Sequence, residues 1–87
     1  MKLSDFQSNI KISQTSGLNK KIGIVKSLWN IDVTDRLYNG CVKTLTEHGV
    51  NSQNITTVNV PGSFELIYGS KKIIRKNPKI DAVIAIG

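Results

Sequence analysis

Two rhythms of apolar and polar positions run along this chain. "KKIGIVKS", residues 20 to 27, holds the near-continuous apolar run Ile22-Gly23-Ile24-Val25, and a run without alternation predicts a strand buried on both faces. From Asn30 onward the rhythm becomes helical: Val33, Leu37, Cys41 and Leu45 recur at intervals of four with Tyr38 and Val42 beside them, until Gly49 supplies a stop. This predicts a helix over about 31 to 48, capped by Asn30 or Asp32. "ITTVNV", 55 to 60, is rich in β-branched residues and predicts a second strand, ended by Pro61, which has no N–H for a ladder. A second helix follows from about Ser63 to Asn77, with Phe64, Ile67, Ile73 and Ile74 on its apolar side and Pro78 at its end. "IDAVIAIG", 80 to 87, predicts a third buried strand.

Strand, helix, strand, helix, strand is the pattern of crossover units in a parallel sheet, so the expected class is α/β with helices on both faces in three layers. Residues 1 to 19 are polar, with a short alternation at Ile10 and Ile12, and predict an extended arm ending at Gly17. The domain is expected over 20 to 87. Gly40 and Gly69 fall inside the helices, where each costs about 1 kcal/mol relative to Ala, so each is expected to mark close packing against a neighbouring element or subunit. "DAVIAIG" is as apolar as a central strand, yet no helix follows to cover it; the expectation is an incomplete sheet, the N-terminal part of a larger domain.

Composition narrows the chemistry. At 87 residues the chain suits one small domain. It contains no run of about 20 apolar residues, and its first residues lead into a polar segment rather than a signal-peptide core, so a soluble, cytoplasmic protein is expected. Cys41 is the sole cysteine; it has no partner for an internal disulfide or a zinc site and is expected to act as a small core residue. Twelve Lys and Arg against six Asp and Glu give a formal charge of +6, and five of those cations fall between 71 and 79, where a helix would line up Lys71, Arg75 and Lys79 with Lys72 and Lys76 beside them. Such a stripe meets phosphates or is a solvated face; without interleaved aromatic residues or a nucleic-acid motif, the solvated face is the better account.

Ligands of an open parallel sheet bind beyond the carboxyl ends of its strands, which selects two turns: Ser27-Leu28-Trp29-Asn30 and Pro61-Gly62-Ser63-Phe64-Glu65. Trp29 can stack on a flat heterocycle beside the hydrogen-bonding Asn30, or sit in a core or interface. Pro61-Gly62 permits close backbone approach, with N–H groups at the start of the second helix expected to face outward. Glu65 can stabilise the helix dipole or accept hydroxyl protons from a polyol; taken alone, the dipole role is favoured. His48, the only histidine, falls at the far end of the first helix, away from both turns, which argues against its serving as the general base. The chain lacks G-x-G-x-x-G and G-x-x-x-x-G-K-[ST], which argues against dinucleotide and phosphate-loop sites, and it lacks an acidic pair for magnesium after the first strand.

"KIGIV" with "WN" four residues on, the helix ending "EHGV", the turn "VPGSFEL" and the run "DAVIAIG", in this order across residues 20 to 87, resemble the N-terminal part of the lumazine synthase family. The resemblance implies a flavodoxin-like sheet and a transferase of riboflavin biosynthesis. The implied reaction condenses 5-amino-6-ribitylaminouracil with 3,4-dihydroxy-2-butanone 4-phosphate, and no metal or organic cofactor is implied. It further implies that Trp29 stacks on the pyrimidine, that Asn30 supports that loop, and that Ser63, Phe64 and Glu65 wall the uracil and ribityl groups. Trp29 and Ser63 stand where related sequences often have Phe and Ala. The implied partners are copies of the same chain, in a pentamer or a shell built from pentamers, with no nucleic acid and no membrane. In that family the segment after the "DAVIAIG" strand carries the phosphate-binding turn and the proton-moving histidine, and a downstream arginine helps hold the phosphate. No catalytic residue is therefore expected within 1 to 87, and these residues alone are expected not to turn substrate over. The alternative reading is a non-catalytic flavodoxin-like assembly or binding module.

Overall fold

A computed structural model of the chain describes residues 17–87; of the arm expected over 1 to 19, residues 1 to 16 lie outside the described residues. The strand β1 (Ile22–Ser27) is followed by helix α1 (Ile31–Glu47), a 3-10 turn (Ser52–Asn54), strand β2 (Ile55–Val60), helix α2 (Glu65–Lys76) and strand β3 (Ala82–Ile86). The three strands form one parallel sheet in the order β2-β1-β3. In register, Ile22 faces Ile55 on one side and Ala82 on the other, while Ser27 faces Val60.

The unbroken apolar run of β1 follows from this central position. With a strand on each side and a helix on each face, both sets of its side chains must leave water. Ile22 and Ile24 point to one face with Ile86 and Val50, against Tyr38, Cys41, Val42 and Leu45 of α1. Val25 points to the other with Val60 and Ile73, against Val58, Leu66, Ile80 and Val83. The expected three layers are thus present, with one helix over each face. Lys26, near the carboxyl end of β1, would be costly between these layers without a partner. Its ammonium pairs with Asp35 of α1 and lies 5.1 Å from the centroid of the Tyr38 ring.

Several finer expectations are corrected. On α1, Val33 and Leu37 are exposed, and only the Tyr38, Cys41, Val42 and Leu45 part of the expected stripe meets the core. On α2, Phe64, Ile67 and Ile74 are exposed, and the inward face is Leu66, Gly69 and Ile73. Positions 66, 69 and 73 follow helical periodicity as well as 67 and 74 do, but the middle one is a glycine and adds nothing to a hydropathy pattern. A Cβ at Gly69 would stand 2.7 Å from Val25 Cγ1 and 2.9 Å from Val60 Cγ1, so the expected close packing holds there. Gly40 has no such neighbour among the described residues of the chain: a Cβ there would meet nothing within 4 Å.

Asn30 occupies the N-cap of α1 but makes no side-chain cap. Its backbone is left-handed, with φ 56° and ψ 54°, and its carbonyl accepts from Val33 and Thr34 N–H at 3.0 and 3.1 Å. Asp32 lies in the first turn, where a carboxylate suits the helix dipole. Gly49, with φ 95°, ends the helix as its position predicts. The third strand is shorter than the expected 80 to 87 and, among the described residues, pairs only with β1, which leaves Ala82 and Ala85 exposed.

Candidate functional site

Parallel strands bring the turns after β1 and β2 to the same edge of the sheet, and the structure ties them together. The N–H of Leu28 donates to the carbonyl of Val60 at 2.8 Å, so the chain leaving β1 is held to the last residue of β2. Behind this tie, the buried hydroxyl of Ser27 accepts from the N–H of Trp29 at 3.1 Å. Thr34, also buried, directs its hydroxyl to the carbonyls of Asn30 and Ile31. The chain turns sharply at the left-handed Asn30, and the indole of Trp29 is left 72% exposed. It is neither a core tryptophan nor one covered within these residues.

The second turn is built from Pro61, Gly62 and Ser63. The carbonyls of Gly62 and Ser63 accept from the N–H groups of Glu65 and Leu66 at 3.1 and 3.2 Å, which starts α2. These two N–H groups are therefore engaged by the turn, against the expectation that the helix start leaves them facing outward. The Glu65 carboxylate folds back over Gly62, with Oε2 3.2 Å from where a Cβ at that position would stand, so the glycine makes room for it. Phe64 projects outward, 97% exposed. Ser63 Oγ lies 3.5 Å from the position of a Cβ at Gly87, which brings the second turn against the end of β3.

Of the five residues singled out in the sequence, Trp29 and Asn30 stand in the first turn and Ser63, Phe64 and Glu65 in the second, all on the carboxyl edge. Two large aromatic rings there are open to water, in a fold where apolar side chains of that size are normally covered. Two concave surfaces lie elsewhere. One groove, of about 370 Å³, is at the amino edge between Lys21, Asn54, Thr56, Lys76 and Lys79, and another, of about 420 Å³, runs along the outer side of α2. These two grooves do not pick out the carboxyl edge. The exposed rings, the tied turns and the strand direction do.

His48 is at the other end of the molecule. Its Nδ1 lies 2.8 Å from the carbonyl of Thr44, which can only accept, so Nδ1 carries the proton in that bond. Its carbonyl accepts from the N–H of Gly17 at 2.8 Å. It caps the end of α1 and does not meet either turn. Burial raises the pKa of the Cys41 thiol above its ordinary value, consistent with a packing residue. Among the described residues no group of three or more His, Cys, Asp or Glu is placed to hold a metal ion. No helix there is long and apolar enough to cross a membrane. The roles of Ser27, Thr34 and the Lys26–Asp35 pair in bracing the first turn went unread in the sequence. The one available signal was Lys26 itself, a cation one residue beyond a doubly buried run.

The fold and the edge define a class: a parallel α/β unit with exposed aromatic side chains on the turns after its first two strands. Residues 19–87 match the family described as 6,7-dimethyl-8-ribityllumazine synthase, and the chain belongs to that family. A protein of that name from Phocaeicola vulgatus is 47% identical over 85 residues, covering 98% of this chain and 48% of its own length. The one from Flavobacterium psychrophilum is 52% identical over 69 residues, 79% of this chain and 36% of its own. That from Bacteroides fragilis is 49% identical over 67 residues, 77% of this chain and 46% of its own. The chain spans about half the length, or less, of these curated relatives.

Proposed function

We propose that this chain contributes the pyrimidine-binding side of a lumazine synthase, the transferase that condenses 5-amino-6-ribitylaminouracil with 3,4-dihydroxy-2-butanone 4-phosphate to 6,7-dimethyl-8-ribityllumazine. The observation that carries the reading is the family match over 19–87, together with the position of "VPGSFEL" and "WN" on one edge of the sheet. Trp29 offers an exposed ring to one face of the pyrimidine. Asn30, left-handed and next in the chain, fixes the angle of that ring. Ser63 and Phe64 form the wall after β2, and Glu65, held over Gly62, accepts hydroxyl protons from the ribityl chain.

In this reading the residues do positional work. A ring held face-on and a carboxylate aimed at the polyol orient one reactant, and orientation of two reactants is a large share of the rate in a condensation. His48 takes no part, since it sits at the end of α1 and bonds to Thr44. The working form is a cytoplasmic homo-oligomer, a pentamer or a shell of pentamers, in which exposed apolar residues of α1 such as Val33 and Leu37 have surfaces to cover. Product formation tests the proposal: the full-length protein, mixed with both substrates, is expected to release 6,7-dimethyl-8-ribityllumazine and inorganic phosphate. Binding of the pyrimidine without any product would favour the non-catalytic module instead.

A further inference from the structure

The outer side of α2 and the amino edge of the sheet form one basic track. The groove along α2 is lined by Tyr68, Lys71, Lys72, Arg75 and Lys76. The groove at the amino edge is lined by Lys21, Lys76 and Lys79 together with the polar side chains of Gln53, Asn54 and Thr56. Lys76 lines both, which makes the two grooves neighbours. Six of the twelve Lys and Arg of the whole chain line this track, and no Asp or Glu does. The nearest carboxylate in sequence, Asp81, accepts the backbone N–H of Lys21 at 2.8 Å. From Tyr68 to Lys76 the helix advances about 12 Å, enough for several phosphates in a row.

The stripe of cations alone would be a solvated face. The structure adds what the linear pattern hid: Tyr68, one turn ahead of Lys71 and Lys72, is exposed and stands at the end of the same groove. We propose that this track binds single-stranded RNA, with phosphates along the lysines and Arg75, a base stacked on Tyr68, and base or sugar edges met by Gln53, Asn54 and Thr56. A basic groove with an aromatic platform and neutral hydrogen-bonding groups is the combination that single strands use. The amino-edge part of the track, at Lys21, Lys76 and Lys79, lies at the opposite end of the sheet from the proposed pyrimidine site, while Tyr68 stands one helical turn beyond Glu65 of that site.

The test is fluorescence anisotropy of the full chain with a labelled oligouridylate of about ten nucleotides, across a salt series. Affinity is expected to fall as salt rises, with a logarithmic slope of about −2 to −4, since each phosphate neutralised on a single strand contributes about −0.7. Removing two cations in Lys72→Gln/Arg75→Gln is expected to make the slope shallower by about 1.4. Tyr68→Ala is expected to weaken RNA binding roughly tenfold and to leave heparin binding unchanged. Trp29→Ala is expected to leave RNA binding as it was. All four substituted side chains are exposed, and circular dichroism checks that each variant is folded. Absence of binding at low salt overturns the proposal, as does RNA affinity indifferent to Tyr68→Ala and to the loss of the two cations. Binding to anionic vesicles in place of RNA also overturns it.

Discussion

At the scale of single residues, the carboxyl edge is organised by small polar groups under large apolar ones. Ser27 and Thr34 are buried, yet each hydroxyl meets a backbone partner, and no buried side-chain polar atom among the described residues lacks one. A buried polar group without a partner costs about 1–3 kcal/mol, so these bonds fix the turn from which Trp29 projects. Cys41 behaves differently from a reactive thiol. Burial disfavours its thiolate and raises its pKa above the ordinary thiol value, so alkylation by iodoacetamide near pH 8 is expected to be slower in the folded protein than in urea; an equal or faster folded rate would contradict this. The sign for stability follows: this contribution is full below the ordinary thiol pKa and is lost as pH rises through the higher folded value. The same decline should be missing in Cys41→Ala.

At the scale of elements, the two helix glycines separate two kinds of evidence. Gly69 is where α2 touches the sheet: added carbon there would press on Val25 and Val60. Gly69→Ala is expected to lower stability by about 1–3 kcal/mol through overpacking, less any gain in helix propensity. Gly40→Ala, with open space around it, is expected to raise stability by up to about 1 kcal/mol. Urea unfolding of the two variants checks both, and a gain at Gly69 or a loss at Gly40 would contradict the packing described. The same residues show what could be read in the chain beforehand. Strand identity was legible because β1 is buried on both faces and carries its apolar run unbroken. The facing of the helices was less so: a glycine at the centre of the α2 contact is invisible to hydropathy, while the exposed Phe64, Ile67 and Ile74 mimic a buried stripe. Asn30 was legible as a helix boundary by residue type, but its left-handed backbone, with no side-chain cap, is a property of the turn.

At the scale of the whole molecule, the sheet has a division of labour. The carboxyl edge presents exposed aromatic rings and a carboxylate on turns braced from below, and the amino edge and outer face of α2 present cations. The positions "WN" and "VPGSFEL" were legible as turns on the carboxyl edge from strand order alone. Their proposed roles came from resemblance, because neither exposure nor the tie between Leu28 and Val60 can be seen in a linear pattern. The central claim is that this edge binds the pyrimidine, and Trp29, the only tryptophan, makes a direct measurement available. Calorimetric titration of the full-length protein with 5-amino-6-ribitylaminouracil is predicted to show saturable binding. Trp29→Ala should weaken it roughly three- to tenfold, the size of an aromatic stacking contribution. No saturable binding, or an affinity unchanged in both Trp29→Ala and Phe64→Ala, would contradict the account.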